Sequence, residues 1–65
     1  MATYRVYRLD AAGRITGPPD VLDCGDDAQA IRAAHGVVPP GVTAEIWQMS
    51  RIVARIVGTG RRAAD

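Results

Sequence analysis

The sequence predicts an α+β fold, a ββαββ domain with a four-stranded, mainly antiparallel sheet and one helix packed on one face. Three observations predict it. Residues 3–10 are rich in β-formers and alternate at the period of a strand, and 43–48 and 51–57, within an almost unbroken apolar run, read as two further strands. One helical signature, over 26–36, lies between an acidic start and a Gly/Pro stop. Gly and Pro clusters at 13, 17–19 and 39–41 separate the periodic segments.

"TYRVYRLD" (Thr3 to Asp10) is the first strand, and "DAAG" is a turn in which Gly13 takes positive φ. "RIT" (Arg14 to Thr16) starts a return strand that "GPP" interrupts and "DVLDC" (Asp20 to Cys24) resumes. A proline has no N–H for the ladder, so this strand belongs at a sheet edge or at a bulge. Asp26 is the helix N-cap, Asp27 complements the positive end of the dipole, and Gln29 stands at capping-box spacing. Ala28, Ile31, Ala34 and His35, widened by Ala30, form the apolar stripe, and Gly36 is the expected C-cap. Pro39 and Pro40 preclude continuation.

"TAEIWQ" and "RIVARIV" form the second hairpin about Met49 and Ser50, a dipeptide without the Gly or Asn that such a turn favours. An uninterrupted ladder pairs Gln48 with Arg51, Ile46 with Val53 and Ala44 with Arg55. It also sets Trp47 against Ile52, Glu45 against Ala54 and Thr43 against Ile56. A slip of one residue would exchange the faces. The domain spans 1–57, and 58–65 is expected to be a flexible C-terminal tail.

A core of 65 residues yields only about 3–5 kcal/mol, and the usual staples are missing. Cys24 has no second cysteine to bridge, and one Cys with one His35 cannot supply a four-ligand zinc site. Association is the remaining route, so a homodimer or an unknown protein partner is expected. No apolar run approaches a membrane span, the charged, alternating N-terminus is unlike a signal peptide, and a lone cysteine suits the cytoplasm. Net charge is +1 and every basic residue is Arg, a bias that tracks GC-rich codons and weakens arguments from arginine content.

No catalytic residue, metal site or cofactor emerges from the sequence. Asp20, Asp23, Asp26 and Asp27 lack the spacing of a calcium loop and read as turn and cap residues. His35 reads as a cation favourable to the helix C-terminus, and Cys24 as a buried, inert thiol. "GTGRR" has no following helix to make a phosphate cradle. No nucleophile–base pair is present, so the chain reads as a non-enzyme. The candidate interaction surface is Trp47, Arg51, Val53 and Arg55 with Tyr4 and Tyr7, the two arginines sharing a strand face. Its first reading is self-association through a sheet face or edge. The alternative is an aromatic and basic platform for single-stranded nucleic acid or another anion, drawing also on Arg5 and Arg8.

"YRVYRLDAAGRI", "CGDDAQAI" and "EIWQMSRIVARI" together resemble a group of short, uncharacterised bacterial proteins. The shared positions are Tyr4, Tyr7, Leu9, Asp10, Gly13, Arg14, Ile15, Asp26, Asp27, Ala30, Ile31, Glu45, Trp47, Gln48, Arg51, Val53, Ala54 and Arg55. The chain departs at "GPP", at "VVPPGV" and at Met49, where the pattern has glycine. The resemblance implies a whole small protein and no particular activity. "GPPDVLDC" and "DDAQAI" also resemble antitoxins of the HicA/HicB type, whose third strand before the helix and DNA-binding extension this chain lacks.

Overall fold

A computed structural model describes residues 1–59. It contains β1 (Ala2–Leu9), β2 (Asp20–Cys24), α1 (Asp27–Val37), β3 (Thr43–Gln48) and β4 (Arg51–Val57). The four strands form one antiparallel sheet in the order β2-β1-β3-β4. The two hairpins therefore meet at their first strands, and β1 and β3 are central.

The first turn forms as its residues dictate. The Asp10 side chain accepts the amides of Ala12 (2.9 Å) and Arg14 (3.0 Å), and Gly13 has φ +80°. Ile15 bridges to Leu9 and the chain then leaves the sheet through "GPP" before β2 takes up an edge, where prolines cost no ladder bond.

Asp26 caps α1 by accepting from the Gln29 amide (2.8 Å), while the Gln29 side chain accepts from the Gly25 amide (2.8 Å). Gly36 does not end the helix. It continues to Val37, and Val38 is the cap, its N–H donating to Ala34 O at 3.0 Å. The buried line is Ala30, Ala34 and Val38, four residues apart, and Ala28 faces solvent. Two small residues on the covered face bring the helix close to the sheet. Apart from Val38 at the helix cap, the large core side chains come from the strands: Tyr4, Val6, Ile46 and Ile56.

The second hairpin departs from the uninterrupted ladder. Gln48 pairs with Arg51 and Trp47 with Ile52, but Ile46 then pairs with Ala54, Glu45 with Arg55, Ala44 with Ile56 and Thr43 with Val57. Val53 is the extra residue of a β-bulge. An unbulged strand would have placed Arg55 beside buried Ala44 and left Ile56 in water. The bulge exchanges them: Ile56 enters the core and Arg55 turns outward.

Gly58 belongs to the fold and not to a tail. It is buried, its N–H donates to Val42 O (2.8 Å), and its carbonyl accepts from Gly41 N (3.0 Å). Of the rest of the expected tail, Thr59 is exposed and residues 60–65 lie outside the described residues.

Candidate interaction face

Strand alternation divides the side chains into two sets. Tyr4, Val6 and Arg8 of β1 point toward the helix, with Leu22 and Cys24 of β2, Ala44 and Ile46 of β3, and Ala54 and Ile56 of β4. Arg5, Tyr7 and Leu9 of β1 share the other side with Val21, Asp23, Thr43, Glu45, Trp47, Ile52, Arg55 and Val57. One helix covers one side. The open side carries Ile52 at 47%, Val57 at 53% and Val21 at 59% exposure, rimmed by Ile15 and by Met49 at 86%.

The six residues singled out in the sequence therefore separate. Tyr4 is 2% exposed, and its hydroxyl donates to Asp27 Oδ1 (2.8 Å). Arg51 lies at the same end of the molecule and grips both Asp27 oxygens (3.1 and 3.0 Å), with Gln48 as a further acceptor. This network ties β1 and β4 to the first turn of α1. The Arg51 hydrogen bonds, and then that of Tyr4, hold the Asp27 carboxyl below its ordinary range, and the bond to Asp27 raises the Tyr4 phenol. Val53 packs against the core as the bulge residue. Arg51 and Arg55 do not share a face, and Arg8 of the imagined basic platform is tied to Asp20 (3.1 Å) and Val37 O (3.2 Å) beside the helix.

Trp47, Tyr7 and Arg55 remain on the open side, and Glu45 joins them. Arg55 Nη2 donates to Glu45 Oε2 (2.8 Å), and Trp47 Nε1 donates to Glu45 Oε1 (3.3 Å). These bonds, that of Arg55 foremost, lower the Glu45 pKa. Tyr7 stands opposite Glu45, and Arg5 opposite Trp47, on adjacent central strands. Tyr7, Ile15, Glu45, Trp47 and Met49 line a hollow of about 260 Å³. Its floor combines two aromatic rings with a carboxylate. Arg5 stands beside it, and its guanidinium makes no hydrogen bond or ion pair among the described residues.

Glu45, Ile15 and Met49 are the members that sequence reasoning missed. Parity was the available signal for Glu45, which is two residues from Trp47 and so must share its face. Ile15 and Met49 reach the hollow through turn geometry, which alternation does not encode. Among the described residues no group of His, Cys, Asp and Glu is placed to hold a metal, and the buried Nδ1 of His35 has no partner. No helix among them is long and apolar enough to cross a membrane. No protein-family model matches the chain, and no curated protein or solved structure matches it.

Proposed function

We propose that this chain is a small protein-interaction module that pairs with itself through the open face of its sheet. The observation that carries the reading is the uncovered face opposite the helix, with Trp47 and Tyr7 at its centre and Ile15, Val21, Met49, Ile52 and Val57 exposed around them. Those five side chains leave on the order of 500 Å² of surface in water, at the upper end of the largest apolar patch on an ordinary monomer. Trp, Tyr, Met and Arg are the residue types enriched at interfaces. Four strands about 4.8 Å apart and roughly six residues long give a footprint of about 19 by 20 Å. That projected area, about 380 Å², is roughly half the ~800 Å² per partner of a standard interface and suits a small, weak dimer contact.

The sheet edges are less suited to pairing. Pro18 and Pro19 lead into β2, and a bulge interrupts β4, two devices that blunt an edge strand. Closing the open face also supplies the burial that a chain of this size lacks. Cys24 is buried and unpaired, which fits the reducing cytoplasm as the site of action.

Sedimentation equilibrium from nanomolar to millimolar protein, with Trp47 emission followed on dilution, tests the reading. A dimer whose dissociation shifts Trp47 emission is expected. A folded monomer throughout that range refutes it.

One observation favours a second reading, in which the face binds single-stranded nucleic acid. Tyr7 and Trp47 are diagonal neighbours on the two central strands with Arg5 alongside, a spacing over which successive bases stack. The balanced charge of the chain argues against it. Titration of labelled single-stranded RNA and DNA at low salt decides, and no binding at tens of micromolar removes it.

A further inference from the structure

Arg5 and the hollow are the two features of the open face that a single protomer leaves unfinished. Arg5 is an exposed cation on a central strand with no acceptor among the described residues. The hollow beside it offers what a guanidinium binds: the rings of Tyr7 and Trp47, and the carboxylate of Glu45. Arginine is the side chain that stacks on aromatic faces while donating to a carboxylate. Glu45 accepts one bond at each oxygen, from Arg55 and from Trp47, and a carboxylate has about four acceptor sites, so capacity for further donors remains.

We infer that the hollow is a guanidinium receptor whose occupant is Arg5 of a second copy of this chain. The inference rests on the self-pairing reading above and names the contact that sets its register. The argument for a second copy is one of placement and complementarity. Two copies stacked face to face are related by a two-fold axis lying between the sheets, and such an interface brings residue i against j and j against i. Arg5 and the hollow are neighbours at the centre of the sheet, since Arg5 stands opposite Trp47 and Tyr7 opposite Glu45. An axis running between them exchanges Arg5 for the hollow twice over while the two faces stay almost fully superposed. Ile15, Val21, Ile52 and Val57 then surround a pair of arginine contacts that fix orientation, as exposed apolar surface alone does not.

Arg5→Glu and Glu45→Arg test this in trans. Each variant alone sets like charges against each other at both contacts. Mixed in equal amounts they form a heterodimer in which one contact is the native pair and the other its charge reversal. The expected result is self-association at least tenfold weaker for each variant alone, with the mixture restored to within about threefold of the native dimer, read by sedimentation at physiological salt. Circular dichroism first establishes that each variant is folded. Should Glu45→Arg fail to fold, Arg5→Ala against Arg5→Lys replaces it: a loss of tenfold or more for alanine, with partial recovery by lysine, sustains the inference. A native chain that dimerises while Arg5→Glu or Arg5→Ala leaves the dissociation constant unchanged overturns this contact and spares the self-pairing reading. A mixture no tighter than its components overturns it as well. A native chain that stays monomeric ends both.

Discussion

The same chemical change, glycine to alanine, should act with opposite sign at two positions of this chain. At Gly36, in the last turn of α1, a Cβ would meet nothing within 4 Å, and the backbone is not left-handed. Gly36→Ala therefore removes glycine's excess unfolded-state entropy and gains about 0.5–1 kcal/mol. At Gly58 a Cβ would fall within van der Waals distance of the carbonyl oxygens of Pro39 and Val38 and of Val38 Cγ1. Carbonyl oxygens cannot rotate away as a side chain can, so the strand end must move. Overpacking of this kind costs about 1–3 kcal/mol. The movement also strains the Gly58 N–H bond to Val42 O and the Gly41 N–H bond to Gly58 O, each worth about 1 kcal/mol net. Gly58→Ala should thus lose about 2–4 kcal/mol, from a total of roughly 3–10 kcal/mol for a domain of this length. At about 4–8 °C per kcal/mol for small domains, Tm falls on the order of 10–30 °C for Gly58→Ala and rises by a few degrees for Gly36→Ala. Thermal unfolding by circular dichroism, at one protein concentration for all chains, measures both. A Gly58→Ala chain melting within about 3 °C of native, which is under 1 kcal/mol, would refute the seating of Gly58.

Met49 has φ +57° in the β3–β4 turn, a conformation costing a side-chain residue about 1–2 kcal/mol. Set against glycine's unfolded-state entropy, Met49→Gly should gain about 0.5 kcal/mol in thermal unfolding while weakening dimerisation, because Met49 lines the hollow. Asp27 is held below its ordinary pKa, so the stability it contributes is present above about pH 4 and lost as pH falls through its folded value. Replacing it with asparagine should therefore flatten the decline of Tm between pH 5 and 2, measured against native under identical ionic strength; an unchanged slope would contradict the Arg51–Asp27 pairing. The Tyr4 phenol is raised, so its contribution is complete below about pH 10 and fades as pH climbs through the folded value, and Tyr4→Phe should remove that alkaline loss in the same melts.

Local chemistry made most of the fold legible. Asp10 and Gly13 specify the first turn, Asp26 and Gln29 start the helix, and the prolines before β2 assign it to an edge. Each of these acts on neighbours within four residues. What escaped depends on distant parts. Gly36 carries a stop signal, but Val38 gains full burial one turn beyond Ala34, and that burial keeps Val37 helical. Gly58 reads as the start of a tail until Pro39 and Val38 come to lie against it. The candidate face was half legible, because Tyr4 and Tyr7 are three apart, an odd spacing that strand geometry sends to opposite sides.

The bulge joins fold and proposed function in one residue, and deleting Val53 tests the connection. Val53 is unpaired between Ile52 and Ala54, which already point to opposite sides. Its removal leaves an unbroken ladder in which Ile52 still faces Trp47, Ala54 faces Ile46, and Arg55 still meets Glu45. The shortened chain should fold in the same register and lose only the packing of one half-buried valine, about 1–2 kcal/mol. The alternative is a strand that slides by one residue and lengthens the turn, carrying Arg55 toward buried Ala44 and Ile56 into water, a slip that burial of an unpaired charge forbids. Val53 deletion should therefore preserve the acid sensitivity that Glu45 takes from Arg55, while straightening β4 and changing how the open face meets a second copy. An unfolded deletion variant would mean that the bulge is needed to reach the register. A folded one with altered dimer affinity would mean that the chain retains an extra residue in β4 to shape the face.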